Sequence, residues 1–295
     1  MQDSQYDSLV KMASRASIGV AATMLLIKLY AWYVSSSAAM LASATDALLD
    51  LLASSISFLI ISFSLTPADA EHRFGHGKAE NLGALLQATL IVSSAALLIF
   101  HGVERMITPQ PILHSKAVIV VSIIAMLATV MLLSLQKYVI SRTGSVAIRA
   151  DSLHYQSDLL LNVGVIVAVL LADYAFAIAD GLYAVIVALF LLYGCIGIVK
   201  HAVDQLLDHE LEAQDIDKIK AILRQHPQSL GFHRLRTRRS GKHRFIECHV
   251  ELADDISLIQ AHGIVTELEQ QLVQLFPDCE VLIHVDPVTA VTDKQ

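Results

Sequence analysis

The sequence of 295 residues contains little charge, few cysteines and a single tryptophan. Charged residues make up 17% of the chain and hydrophobic residues 55%, a composition that indicates an integral membrane protein. Cys195, Cys248 and Cys279 include no CxxC pair, so neither a disulfide framework nor a thiolate zinc site is expected, and a reducing compartment fits. The polar N-terminus is not followed by a short apolar segment with a small-residue cleavage site, which argues against a removable signal peptide.

Six apolar runs are long enough, at roughly 20 residues each, to cross the hydrocarbon core of a bilayer. The predicted spans are Ala16–Val34, Ala39–Leu65, Leu82–Val103, Ala117–Leu135, Ser152–Ala172 and Gly181–Val199. Lysine and arginine are concentrated before the first span and in the second and fourth loops, which places both termini in the cytoplasm. The short loops Ser35–Ala38 and Asp173–Asp180 predict that the helices on either side of each are antiparallel neighbours.

A different pattern begins after about His201, where most carboxylates of this chain of net charge −7 are found. The expected elements are an amphipathic helix ending near Pro227, a hairpin of Leu230–Thr237 and Arg244–Leu252 around the turn at Gly241, a helix over Leu258–Phe276 and a strand over Cys279–Val285. The order α-β-β-α-β predicts a ferredoxin-like α/β domain. We therefore expect a six-helix transmembrane domain over residues 1–206 and a cytoplasmic domain over residues 207–295.

Two of the apolar runs contain carboxylates, which are costly inside a bilayer and therefore indicate a functional site. Asp46 and Asp50 are four residues apart in the second span, so they lie one turn apart on one face of a helix. His154 and Asp158 repeat this spacing near the start of the fifth span. Together these ligands suit Zn²⁺ and would accept Fe²⁺, Cd²⁺ or Mn²⁺. The alternative, helix-end charges facing water or a structural pair, rarely produces two such pairs in separate spans.

The same ligands predict how metal is exchanged for protons. An empty site with three carboxylates in a low dielectric should take up protons, most readily on His154, and metal binding should expel them. Exposure of the site to the two sides of the membrane in turn then exchanges metal for H⁺, so that inward proton flow drives metal outward. Thiolates would hold zinc too tightly for release in every cycle, whereas oxygen and nitrogen ligands that compete with protons can let it go.

The second loop, Thr66–Ala79, contains a further group of ligand residues, Asp69, His72 and His76. The two histidines are four residues apart, as in a zinc peptidase helix of the HExxH kind, but residue 73 is arginine, so the general base of that chemistry is missing. The group is interpreted either as a metal site or as a solvated polar loop.

The tail contains five more candidate ligands, and no spacing among them is diagnostic. They are His233, His249, His262, His284 and Asp286. His284 and Asp286 are two residues apart and so share one face of the last predicted strand. The alternative for each histidine is an ordinary surface position.

Four segments carry a resemblance to a known family: Ser43–Asp50, Pro67–Asp69, His72–Glu80 and Ala150–Asp158. Along nearly its whole length the chain resembles the cation diffusion facilitators, and within them the bacterial ferrous-iron and zinc efflux pumps. The run His-Arg-Phe-Gly-His-Gly-Lys is specific to this family. The resemblance implies a homodimeric metal/proton antiporter of the bacterial inner membrane, with six transmembrane helices and a cytoplasmic metallochaperone-like domain.

The resemblance also implies roles for individual residues. The transport site would be Asp46, Asp50, His154 and Asp158, the loop site Asp69, His72 and His76, and the cytoplasmic site at the dimer interface His233, His249, His262, His284 and Asp286. Lys78 and Asp208 match a salt bridge that holds the protomers together, and Leu153 matches a gating position. Metal in the tail would draw the two acidic tail domains together, which would make the tail a sensor of cytosolic metal.

Three other functions compete with metal antiport. A membrane-anchored sensor would need only the tail and no ligands inside the spans. A transporter of organic cations should have an aromatic-lined pocket, yet Trp32 is the only tryptophan. A channel is not excluded by the residues, although a multidentate site suits alternating access better than rapid conduction. The expected partners are divalent metals, protons, the lipid bilayer and a second copy of the chain, with no nucleic acid. No enzymatic activity is expected, and the choice among Zn²⁺, Fe²⁺ and Cd²⁺ stays open.

Overall fold

The computed structural model describes residues 2–35, 38–107, 116–171 and 177–291. Six long helices are followed by a smaller α/β region. The long helices are α1 (Gln2–Ser35), α2 (Ala38–Ser64), α3 (Ala79–Ile107), α4 (Lys116–Thr143), α5 (Val146–Leu171) and α6 (Ala177–Leu206). The later elements are α7 (Ala213–Gln225), β1 (Gly231–Ser240), β2 (His243–Leu252), α8 (Leu258–Leu275), β3 (Cys279–Pro287) and a short 3₁₀ turn, Val288–Ala290.

Each predicted span overlaps one of the six long helices. The helices α4 and α6 continue past the apolar runs because backbone hydrogen bonding does not stop where hydropathy falls. Among the described residues, α1, α2, α3, α4 and α6 are long and apolar enough to cross a membrane. The helix α5 does not meet that measure over its described part, so the count of six spans remains a prediction. Residues 36, 37 and 173–176 of the two predicted short loops, and residue 172 at the end of the fifth predicted span, lie outside the described residues.

The chain divides into two compact units. The helical unit consists of Gln5–Pro67 and Ala79–Val203, and the tail unit combines Ala68–Lys78 with the chain from Asp204 onward. The loop that carries Asp69, His72 and His76 is thus grouped with the tail, which the apolar pattern alone did not predict.

The helical unit contains two hydrophobic clusters that share α5. One joins α3, α5 and α6 and includes Ala88, Ala150 and Ala188, small residues that let helix backbones approach closely. The other joins α1, α2, α4 and α5 and includes Ile61 and Ile148. Because α5 belongs to both clusters, it is packed on several sides at the centre of the unit.

The tail unit contains a three-stranded sheet in the order β1-β2-β3. The pair β1 and β2 is antiparallel and the pair β2 and β3 is parallel. Helices α7 and α8 contribute Ile219, Leu223, Leu268 and Leu272 to a core with Ile246 of β2. The predicted α-β-β-α-β order is confirmed.

Candidate metal sites

The first group of metal-ligand residues lies between α2 and α5. Asp50, His154 and Asp158 each bring one ligand atom to within 4.8 Å of the others. Nε2 of His154 lies 3.1 Å from Oδ1 of Asp50 and 3.9 Å from Oδ2 of Asp158. Their side chains are 11%, 26% and 28% exposed for His154, Asp50 and Asp158 respectively. Two carboxylates and one imidazole at these distances can bind a divalent cation.

Asp46, the fourth residue predicted for this site, is not part of that group. Its side chain is exposed, one turn before Asp50 on α2. The charge of Asp46 is close enough to be repelled by Asp50 and attracted by Lys28 of α1. Lys28 also attracts the charge of Asp158. The role of Asp46 as a ligand remains a prediction.

A buried polar network lies one turn from His154 on α5. Oδ2 of Asp151 accepts hydrogen bonds from the Ser17 hydroxyl at 2.6 Å and from Nε2 of Gln136 at 2.8 Å. The hydroxyl of Tyr155 donates to the backbone carbonyl of Ser17 at 3.1 Å and lies 3.0 Å from the Ser54 hydroxyl. These bonds join α1, α2, α4 and α5 beside the metal-ligand group.

Leu153, for which the resemblance implies a gating role, is buried between α5 and α6. Gly194 of α6 faces it so closely that a Cβ at that glycine would lie 2.9 Å from both Leu153 methyl carbons. A side chain at residue 194 would require Leu153 to shift, and the gating role stays a prediction.

The loop group also assembles. One carboxylate oxygen of Asp69 lies 3.4 Å from Nδ1 of His72, and the other lies 3.3 Å from Nε2 of His76. The backbone N–H groups of His72 and Glu71 donate to Asp69 at 2.6 Å and 2.9 Å. The hydrogen bond from the His72 backbone is the main cause that lowers the pKa of Asp69, so this carboxylate stays ionised and able to bind metal.

The loop packs against the strands of the tail unit. The ring of Phe74 contacts that of Phe245 edge-on at 5.6 Å, and the Arg238 guanidinium lies 4.9 Å from the first ring centroid and 4.3 Å from the second. Gly77 approaches the backbone of Ser240 so closely that any side chain at that glycine would collide with it. The loop is therefore held by a cation–π contact and by backbone packing.

Lys78 and Asp208 form the ion pair that the resemblance implies, with Nζ and Oδ1 2.9 Å apart. Arg238 lies 3.5 Å from the same carboxylate oxygen. The pair forms within this single chain, and its role in holding two protomers together stays a prediction.

The third group lies on the sheet of the tail unit. Paired register positions bring His233, His249 and His284 into line across β1, β2 and β3. Oδ2 of Asp286 lies 3.3 Å from Nε2 of His233 and 2.7 Å from Nδ1 of His249, while Oδ1 lies 3.2 Å from Nε2 of His284. His262 of α8 is exposed and does not belong to this group. Three of the five predicted tail ligands, His233, His249 and Asp286, bring ligand atoms within 4.8 Å of one another, and His284 contacts the other oxygen of Asp286.

Two carboxylates contact the histidines of the tail group, Asp286 within the group and Glu251 behind it. The hydrogen bond with His249 is the main cause that lowers the pKa of Asp286, which keeps it ionised. Behind the group, Oε1 of the buried Glu251 lies 3.2 Å from Nδ1 of His233 and leaves Nε2 of that ring directed at Asp286. Carboxylates that hold a ligating histidine in this way are common around metal sites.

Sequence reasoning missed four residues near these groups: Lys28, Glu80, Asp151 and Glu251. Lys28 interrupts an apolar run, and Asp151 precedes the predicted start of the fifth span by one residue, so both gave a detectable signal. The carboxylates of Glu80 and Glu251 became significant only through tertiary contacts.

Comparison with known families identifies the class of protein that these groups define. Residues 14–207 match the cation efflux transmembrane domain, and residues 211–288 match the cytoplasmic domain of cation efflux proteins. The chain therefore belongs to the cation efflux family, which consists of transporters and not of enzymes.

Individual relatives agree over the whole length of the chain. The cation-efflux pump FieF of Shewanella oneidensis is 46% identical, over 97% of this chain and 97% of that one. FieF of Pectobacterium carotovorum is 42% identical over 98% of this chain and 97% of its own, and FieF of Citrobacter koseri 41% over 97% and 95%. The chain is a multi-pass membrane protein that exports metal cations, as its family does.

Solved structures also match the tail. The metal-bound C-terminal domain of the CzcD transporter from Thermotoga maritima is 29% identical and covers 28% of this chain and 100% of that one, with a TM-score of 0.26. The cytosolic domain of a cation diffusion facilitator family protein is 30% identical over 27% of this chain and 99% of that one, with a TM-score of 0.25.

Proposed function

We propose that the protein is a proton-coupled antiporter that exports Zn²⁺, and also Fe²⁺ or Cd²⁺, from the cytoplasm in exchange for H⁺. The observation that carries this proposal is the convergence of Asp50, His154 and Asp158 within 4.8 Å between α2 and α5. Asp46 is the fourth ligand of the transport site in this proposal. It lies one turn before Asp50, and an adjustment of α2 or its side chain would bring it to a bound ion.

Exchange follows from the chemistry of the ligands. Metal binding requires a neutral imidazole and ionised carboxylates, so metal and protons compete for His154 and its carboxylate neighbours. A site that alternately faces the two sides of the membrane then loads metal where protons are scarce and releases it where they are abundant. The half-buried position of these side chains favours such competition, because water stabilises uncompensated charge less well there than at the surface.

The same proposal assigns regulatory metal sites to the tail unit of a homodimer in the bacterial inner membrane, with a transport domain over 1–206, a dimerisation domain over 207–295 and both termini cytoplasmic. Asp69, His72 and His76 form the loop site. His233, His249, His284 and Asp286 form the tail site, which His262 joins at the dimer interface. Zinc there would neutralise the carboxylates and draw the tail domains together. A chain without residues 207–295 should lose the zinc dependence of its transport rate, and an unchanged dependence would refute this role.

The decisive experiment measures zinc flux into proteoliposomes under an imposed pH gradient. Wild-type flux should rise with the gradient, and Asp50→Ala should abolish it, because one carboxylate of the metal-ligand group is lost. The matched control is Asp69→Ala, which removes a carboxylate of similar ligand geometry from the loop and should leave gradient-driven flux in place.

Two results would contradict the proposal. Zinc flux that ignores the pH gradient would remove proton exchange and favour a channel. Normal flux in Asp50→Ala, with folding verified by an unchanged elution profile, would make the intramembrane carboxylates structural and leave the tail as a metal sensor only.

A further inference from the structure

Glu80, in the first turn of α3, is a buried carboxylate that the transport chemistry does not use. Glu80 is only 4% exposed. Its Oε1 accepts hydrogen bonds from the Ser145 hydroxyl at 2.5 Å, from the Val146 backbone N–H at 2.9 Å and from the Ala147 backbone N–H at 3.5 Å. Its Oε2 accepts a fourth hydrogen bond, from the Tyr6 hydroxyl at 3.0 Å. These four hydrogen bonds give the buried carboxylate the partners that a buried polar group needs.

Three of these donors belong to the beginning of α5, which starts at Val146. The first N–H groups of a helix have no partners inside it and carry its positive dipole end, so an anion is favourable there. Ser145 supplies a local cap by accepting from the Ile148 N–H at 3.3 Å. The negative charge, however, comes from another helix, so Glu80 ties the start of α5 to the start of α3.

The same turn of α3 is also packed tightly against α2. Gly83 follows Glu80 by three residues and so lies on the adjacent part of the helix surface. A Cβ at Gly83 would lie 2.8 Å from Cγ2 of Ile60 on α2, so a side chain there would force Ile60 to shift. The beginning of α3 therefore contacts both helices that supply the intramembrane ligands, α2 with Asp50 and α5 with His154.

We infer that Glu80 is a positioning residue for the intramembrane metal site, fixing α5 along its axis so that His154 and Asp158 meet Asp50. This inference rests on the proposed function of that site. Both α5 ligands are on one rigid helix, so a small shift of its beginning displaces them together. Metal coordination tolerates shifts of only a few tenths of an ångström, which makes such a displacement costly.

The test is zinc binding by the full-length chain in detergent, in a background with His72→Ala and His249→Ala. These two changes remove one ligand each from the loop and tail groups, so that the intramembrane group dominates the titration. Glu80→Ala leaves the α5 donors without an acceptor and should weaken zinc binding roughly tenfold, as is typical when a group that orients metal ligands is lost. Glu80→Gln keeps an accepting oxygen but removes the charge, and should weaken zinc binding less.

Tyr6→Phe is the matched control, since it removes the bond to Oε2 and leaves those to α5 in place; its zinc affinity should equal that of the background. The inference is overturned if a folded Glu80→Ala or Glu80→Gln chain binds zinc with unchanged affinity, even at a lower melting temperature. An equal loss in Tyr6→Phe also overturns it. Asp50→Ala is measured in parallel: unchanged zinc binding in that variant would refute the metal site and the positioning role together, whereas unchanged binding in the Glu80 variants alone would refute only the positioning role.

Discussion

The intramembrane group and the tail group use the same two types of ligand on different scaffolds. In the helical unit, one imidazole and two carboxylates come from α2 and α5, two separate helices. In the tail unit, three imidazoles surround Asp286 on neighbouring strands of one sheet. The first group can change shape when two helices shift, whereas the hydrogen-bonded register of the sheet holds the second group in place.

The different ligands and scaffolds suit the two groups to different roles. Imidazole favours zinc-like ions more strongly than carboxylate does, so the tail group should retain a metal that the intramembrane group must release. Because the sheet is already rigid, metal binding there costs little additional conformational entropy. The helical group has one imidazole and holds its ligands on two separate helices, a combination that suits the proposed exchange of metal.

Among the variants that compare the two groups, the largest effect on transport is expected from exchanging the ligand type in the helical unit. His154→Asp should reduce zinc flux at least roughly tenfold, equivalent to about 1.4 kcal/mol, and should raise the preference for Mn²⁺, because an all-carboxylate site favours harder ions. Competition between the two metals in proteoliposomes measures this preference. The control His249→Asp makes the same exchange in the tail and should leave flux selectivity unchanged; a shift in that variant instead would mean that the tail selects the cargo.

A ligand removed from the tail should affect binding more than transport. His249→Ala should weaken zinc binding at the tail group by at least roughly tenfold, about 1.4 kcal/mol, while flux at saturating zinc persists. Isothermal titration of the full chain carrying both Asp50→Ala and His72→Ala isolates this binding. The comparison is His262→Ala, which should weaken binding only if the partner chain brings that residue to the site. A loss of flux at saturating zinc in His249→Ala would contradict the proposal that the tail group binds metal without transporting it.

The loop should be sensitive to a single methyl group. Gly77→Ala should destabilise the tail unit by about 1–3 kcal/mol, because the new Cβ would meet the backbone of Ser240. Thermal unfolding monitored by tail-specific proteolysis measures the effect. Gly263→Ala is the matched control: a Cβ there has open space within α8, and alanine favours helix, so a small gain in stability is expected. Equal behaviour of the two variants would contradict the close packing of the loop.

The smallest effect concerns acid. The pKa of Asp286 is lowered in the folded chain by the hydrogen bond with His249, so its ionised form stabilises the fold. That contribution is fully present above the unfolded-state pKa of about 3.9 and is lost as pH falls through the lower folded value. With metal chelated, wild-type protein should melt slightly above Asp286→Asn at neutral pH, and the difference should vanish in strong acid. A difference between the two melting temperatures that grows as the pH falls would contradict this prediction.

Much of this arrangement was predictable from short-range pattern. The spacing of Asp50, His154 and Asp158 placed ligands on helix faces, and alternation in the tail predicted its strands. The neighbours of those ligands were not predictable in the same way. Glu80 and Glu251 read as ordinary acidic residues, since nothing near them in sequence shows which buried donors they meet.

Asp46 marks the limit of the periodicity argument. Four-residue spacing requires Asp46 and Asp50 to share a face of α2, and they do, but it does not fix how far each side chain reaches towards α5. Only the crossing of the two helices decides that, and it brings Asp50, and not Asp46, next to His154.

The sequence by itself determined the membrane character, the helix faces that carry ligands and the order of elements in the tail, because these depend on hydropathy and on spacing along the chain. The tertiary structure alone decided which ligands meet, that the loop belongs to the tail unit and that Glu80 caps α5 from another helix. Such contacts join residues far apart in sequence, and their formation depends on how whole helices and strands pack, which no local pattern records.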